Sequence, residues 1–177
     1  MRSLTRNQAL TLASPFPYVL ATVVDGAGRP NVIGLGWWTF TSWEPLNLAI
    51  AVGHHRYSHE CLEHCKEFVV SFPAADQAKG AWICGTRSGR RGDKVAAAGL
   101  TLVPSRHVRP PTIAGATVAF ECVVEHQVDS GDHTLYLGRV LAMRGDPERA
   151  SHLYSIHYEK LVALDHEGHA DFALEYE

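Results

Sequence analysis

The chain has 177 residues, with 16 lysines and arginines against 19 aspartates and glutamates, a formal net charge of −3. That balance, with no long basic run, excludes a polyanion such as nucleic acid as the principal partner. The length suits a single domain over 1–177, with no room for a full dinucleotide-binding domain beside a separate catalytic one.

Taken in order, residues 18–25 (YVLATVVD) are apolar and rich in β-branched side chains, Asp25-Gly26-Ala27-Gly28 supplies turn chemistry, and residues 31–41 resume a β-leaning run. This pattern predicts a hairpin. Residues 46–52 (LNLAIAV) read as a third strand, and Ser58 is placed to cap a short helix over 58–66. A buried strand over 68–72 ends at Pro73, residues 74–83 can be helical, and residues 93–98 form a helix stopped by Gly99. Pro110-Pro111 stiffens an extended crossing over 106–112. Residues 117–128 and 133–143 make a second hairpin around the turn at 129–132. The sum is a mainly β domain with short helices, about six antiparallel strands in a small barrel.

No stretch approaches the ~20 apolar residues of a membrane span, and Ser14-Pro15 interrupts the apolar stretch that follows Arg2 and Arg6. Cys61, Cys65, Cys84 and Cys122 read as free thiols, so a soluble cytoplasmic protein is expected.

Three segments could carry chemistry. In residues 31–45 (NVIGLGWWTFTSWEP), Gly34 and Gly36 precede Trp37, Trp38, Phe40 and Trp43, with Thr39, Thr41 and Ser42 between them. Such a wall stacks a planar ligand or, by strand alternation, simply fills the core. Arg56-Tyr57-Ser58 joins a guanidinium to a hydroxyl at a helix start, which is either an anion site or an ordinary cap beside a solvated arginine. Residues 84–94 (CGTRSGRRGDK) place Arg87, Arg90, Arg91 and Lys94 around three glycines; this is neither a P-loop nor a GxGxxG turn. His59, Cys61, His64 and Cys65 are residue types that hold zinc, but His59 does not share the Cys61/Cys65 face and no second ligand pair follows, so no metal site is expected. His133 follows a tight turn at a strand start, where its ring can meet a ligand at the barrel end.

In order along the chain stand Asp25-Gly-x-Gly28 with Asn31, Gly36-Trp37, Thr41-Ser42-x-x-Pro45 and Arg56-Tyr57-Ser58. Glu67-Phe68-Val69-Val70 and Cys84-Gly85-Thr86-x-Ser88-Gly89-Arg90-x-x-Asp93-Lys94 follow, then Ala98-Gly99-Leu100, Glu121-Cys122, Gly131-Asp132-His133 and Gly138-x-Val140. This ordered set resembles the flavin reductase-like, FMN-binding split-barrel family, in particular its flavoredoxin and ferric-reductase branch. The resemblance implies a homodimer of six-stranded, Greek-key-type split β-barrels with FMN near the subunit interface. Carried over by position, Gly36, Trp37, Trp38 and Thr39 would flank the isoalloxazine. Thr41, Ser42, Arg56, Tyr57 and Ser58 would lie toward the ribityl and phosphate side. Ser88, Gly89 and Lys94 would complete the anion contacts, with His133 approaching from the second hairpin. The family's chemistry implies an FMN-dependent oxidoreductase that takes a hydride from NADH or NADPH and passes electrons to free flavin, ferric iron or a redox partner. Because the flavin carries that chemistry, no side chain need be a general acid or base. The alternative is an FMN-binding electron carrier without nucleotide oxidase activity.

Overall fold

A computed structural model of the chain describes residues 1–149 and 151–175. Helix α1 (Arg6–Leu12) is closed by a capping box in which Thr5 and Gln8 each accept the other's backbone N–H through the side chain. Then come β1 (Phe16–Pro17), the hairpin β2 (Val19–Val24) and β3 (Pro30–Leu35), β4 (Trp38–Ser42), β5 (Asn47–Gly53), α2 (Tyr57–His64) and β6 (Glu67–Phe72). A 3₁₀ turn leads into α3 (Ala78–Thr86), and α4 (Lys94–Ala98) ends at Gly99, whose left-handed φ of 65° stops it. The second half holds β7 (Leu102–Val103), β8 (Thr112–Ile113), β9 (Val118–Ser130), β10 (His133–Gly145), β11 (His152–Ile156), β12 (Lys160–Leu164) and β13 (Ala170–Glu175).

The main sheet corrects the expected six-stranded barrel. It has seven strands in the order β3-β2-β6-β9-β10-β5-β4, antiparallel throughout, and it is open, with β3 and β4 at its edges. The difference arises at Gly36-Trp37, where the run read as one strand over 31–41 breaks. β3 stays on β2, while β4 crosses to the far edge and pairs with β5. A second sheet, β1-β11-β12-β13, was not foreseen at all. Its β11–β12 turn carries His157 and Tyr158 at φ 54° and 61°, a backbone for which glycine or asparagine is the usual signal, so the sequence shows no turn there.

Strand β2 organises the core because both its faces are buried, as its unbroken apolar run requires. Val19, Ala21 and Val23 face a cluster with Leu48, Ile50, Phe68, Val70 and Tyr136. Leu20 and the preceding Tyr18 face the other way, into a cluster with Ala81 and Cys84 of α3 and Leu153 and Leu161 of the second sheet. Each large apolar side chain so buried contributes about 1.5–3 kcal/mol. Among the described residues, no helix is long and apolar enough to cross a membrane.

The proline-stiffened crossing is strapped to the sheet by two glutamates on neighbouring strands. Glu121, 1% exposed, accepts the backbone N–H of Arg106 at 3.0 Å and that of His107 at 2.8 Å. Glu67 accepts the backbone N–H and Nε–H of Arg109 at 2.9 and 3.1 Å. Removing the Glu121 carboxylate strands those donors and the nearby Arg144 guanidinium. Glu121→Ala should therefore lower unfolding free energy by about 3–5 kcal/mol in urea titrations; a loss under ~1 kcal/mol would sink the strap.

Candidate functional site

The ends of β3 and β5, the starts of α2 and β10, the C-terminal half of α3 and the β11–β12 turn meet around a cavity of about 450 Å³. Trp37, Trp82, Tyr18, Tyr158 and His133 supply its rings, and Arg56 its charge. The Trp37 and His133 rings lie 4.9 Å apart at 39°, and Trp37 Nε1 donates to Tyr158 Oη at 2.8 Å. Tyr158 in turn stacks on Phe16. His133 Nδ1 lies 2.6 Å from Asp132 Oδ1, which fixes the imidazole's orientation and, through that hydrogen bond, holds the Asp132 carboxyl below its usual range. The Tyr18 phenol forms part of the floor between two backbones. A β-carbon at Gly34 would lie 1.9 Å from Tyr18 Oη, and one at Gly85 2.0 Å from it, so both positions require glycine.

A second cavity of about 280 Å³ adjoins the first, sharing Ile33, Arg56 and Gly85. The loop from Arg87 to Arg91 and the start of α2 line it, with Lys94 inside. Its four loop cations are not equivalent. Arg90 is ion-paired with Glu60, donates to the His55 carbonyl at 3.0 Å and lies over the Tyr57 ring. Lys94 is 7% exposed and donates to the carbonyls of Cys84 (3.0 Å) and Arg87 (3.1 Å), closing the C-terminal end of α3. Burial lowers its pKa, and two of its three N–H groups are committed. Arg56, Arg87 and Arg91 make no ion pair or side-chain hydrogen bond among the described residues.

The expected cap is corrected. Arg56 occupies the N-cap position without a side-chain bond, and Ser58 is buried one residue inside α2, its Oγ accepting from Asn31 Nδ2 at 2.7 Å. The helix begins earlier because Tyr57 is anchored through its hydroxyl to Asp25 Oδ2 at 2.9 Å. Ser88 caps the following 3₁₀ turn, accepting from Arg90 N.

The structure thus brings Gly36, Trp37, Arg56 and His133 to the first cavity, and Arg56, Tyr57, Ser58, Ser88, Gly89 and Lys94 to the second. Trp38, Thr39, Thr41 and Ser42 line neither. The Trp38 ring turns inward, edge-on to Phe72 at 4.9 Å with Nε1 donating to the Pro17 carbonyl, while Thr39 and Thr41 stand exposed on the edge strand. Trp82 and Tyr18 were not singled out from sequence, since each sits in a run that reads as plain core. The histidine–cysteine stretch does not gather within ligand distance: His59 turns to Thr134, and Cys61 and Cys65 are buried. Burial pushes the Cys61 and Cys84 thiols up to about 11, and those of Cys65 and Cys122 up as well.

Asp25 holds the β2–β3 turn that positions Tyr57. The Arg29 backbone N–H, together with Tyr57 and the Arg29 side chain, lowers its pKa from the usual 3.8 to about 2. Its stabilising contribution is complete above 3.8 and is lost as pH falls through about 2. Asp25→Asn should remove that dependence, so wild type and variant should converge in stability as acid is added. Parallel curves would contradict the anchoring role.

The flavin reductase like domain model matches residues 12–162. An uncharacterized protein of Archaeoglobus fulgidus is 38% identical over 126 residues, 71% of each chain. An NADH-dependent FAD reductase of Streptomyces globisporus is 29% identical over 169 residues, 85% of this chain and 82% of the relative. Among solved structures, an FMN-binding protein of Thermus thermophilus superposes with a TM-score of 0.79 at 24% identity, covering 88% of this chain and 91% of its own. With most of its length matched, the chain belongs to the flavin reductase-like domain family.

Proposed function

We propose that the protein is an oxidoreductase that binds FMN, accepts a hydride from NADH or NADPH and passes the electrons to free flavin, ferric iron or a redox partner. The observation that carries this reading is the junction of an aromatic cavity with a cationic one through Arg56. A planar ring system with an anionic tail has the same division of chemistry. The relative named as an NADH-dependent FAD reductase and the neighbour named as an FMN-binding protein support it.

Bound there, the flavin would supply hydride acceptance and electron transfer. Trp37, Tyr158 and Trp82 would hold the ring and exclude water from it, with the Trp37–Tyr158 hydrogen bond keeping the indole from swinging away. Asp132 would keep His133 oriented at the cavity rim. Arg56, Arg87 and Arg91, which make no ion pair among the described residues, would take the phosphate together with the Ser88 hydroxyl. The reading includes a homodimer. Edge strand β4 and its surroundings expose Phe40 (47%), Trp43 (89%) and Met143 (60%), an apolar surface that a second copy would cover. Thr39, Thr41 and Ser42 would then lie on the surface offered to the partner.

Rapid mixing of the flavin-loaded protein with NADH or NADPH under argon should bleach the visible flavin absorbance. Bleaching by dithionite alone would favour the electron-carrier reading instead. Arg56→Ala should weaken FMN by about tenfold or more while leaving riboflavin unchanged, because the lost charge-assisted bond is worth about 1.5–3 kcal/mol. Equal loss for both ligands would contradict the phosphate placement. Lys94 is a poorer probe, since its ammonium also closes α3.

A further inference from the structure

Helix α2 starts without the side-chain cap that usually fixes a helix N-terminus, because Arg56 stands at its N-cap and lines both cavities. The loop that carries Arg56 is therefore held by other means. One anchor is the Tyr57–Asp25 bond. A second lies at Thr134, which directly follows His133 on β10 and is 2% exposed.

Three side chains from three elements converge on the Thr134 hydroxyl. His54 Nε2 of the loop, His59 Nε2 of α2 and Asp129 Oδ1 of β9 each lie 3.1 Å from Oγ1. A hydroxyl has one proton to give and two lone pairs to fill, and an ionised carboxylate only accepts. The Thr134 proton therefore goes to Asp129, and both lone pairs accept N–H groups from the two imidazoles. That assigns His54 and His59 as Nε2–H donors, their rings 5.0 Å apart and edge-on. Burial lowers the His59 pKa, which favours the neutral ring with its single proton on Nε2.

Backbone bonds complete the brace. His54 N–H donates to the Asp132 carbonyl at 3.0 Å, and Arg56 N–H to the Gly53 carbonyl at 2.9 Å. Gly53 pairs with His133 across the strands. A β-carbon at Gly53 would lie 3.1 Å from His55 Cε1 and 3.4 Å from His133 Nε2, so the loop packs closely on the ring at the edge of the first cavity. One hydroxyl thus joins the strand that presents His133 to the loop and helix that present Arg56.

We propose that Thr134 is a positioning residue whose hydroxyl, acting through His54 and His59, fixes the Arg56 guanidinium for the ligand's phosphate. This rests on the flavin reading above, and deepens it by naming what orients the charge at the junction of the cavities. Without the hydroxyl, two imidazole N–H groups lose their acceptor and the loop is released, so the phosphate contact weakens while the ring contacts remain.

Equilibrium titration of the full chain with FMN and with riboflavin, followed by flavin fluorescence, tests it. The ratio of the two affinities is a readout that a loss of stability alone does not move. Thr134→Val keeps the shape and removes the hydroxyl; it should weaken FMN by about fivefold or more and leave riboflavin within about twofold. Thr134→Ser returns the hydroxyl and should restore the ratio. His54→Ala removes an exposed leg of the brace without touching the core, and should lower the ratio in the same direction even where the valine variant does not fold. Long-range proton–nitrogen spectra of the wild-type chain should show both imidazoles protonated on Nε2. An unchanged ratio in folded Thr134→Val or in His54→Ala, a serine variant that behaves like valine, or a neutral ring protonated on Nδ1 would each overturn this inference alone. A wild-type chain that binds neither ligand would overturn the flavin reading and the inference together.

Discussion

The candidate site depends on a single side chain threaded between two backbones. Tyr18 sits where β1 passes into β2, and its phenol occupies the space that Gly34 of β3 and Gly85 of α3 leave open. That close approach sets how near α3 can come to the main sheet, and therefore the depth of the aromatic cavity between them. It also decides where the chain emerges from α3. The Lys94 ammonium then draws the loop back by binding the carbonyls of Cys84 and Arg87. One tyrosine and one lysine thus hold the strand, helix and loop that any ligand must touch.

Charge is distributed by the same logic. A net charge of −3 describes the whole surface poorly, because the acidic groups nearest the site are consumed in holding it together. Asp25 orders a turn, Glu60 restrains Arg90 and Asp132 orients His133. What remains unpaired around the second cavity, among the described residues, is positive: Arg56, Arg87 and Arg91. Local potential follows that residue-by-residue division rather than the sum.

Local chemistry was legible in the sequence wherever a single residue type carries a strong conformational preference. The β2–β3 hairpin, the Gly99 stop and the clustering of cations around Gly85, Gly89 and Gly92 could all be read directly. Long-range pairing could not. Nothing in the run from Asn31 to Thr41 announces that its second half joins the opposite edge of the sheet, because alternation continues through Gly36 and Trp37 as if the strand did. The same alternation sent the Trp38 ring inward, away from the cavity that receives Trp37. The second sheet stayed hidden for a different reason. Its turn is made by His157 and Tyr158 in left-handed backbone conformations that a β-carbon disfavours, a local cost of the kind that accompanies positioned functional groups.

The burial of all four thiols bears on chemical durability. Each cysteine has its pKa raised by desolvation, Cys61 and Cys84 to about 11, so the thiolate is scarce at neutral pH. Peroxide attacks the thiolate and spares the protonated thiol. Where oxygen intercepts electrons beside such a framework, the hydrogen peroxide released finds the cysteines protonated and slow to oxidise.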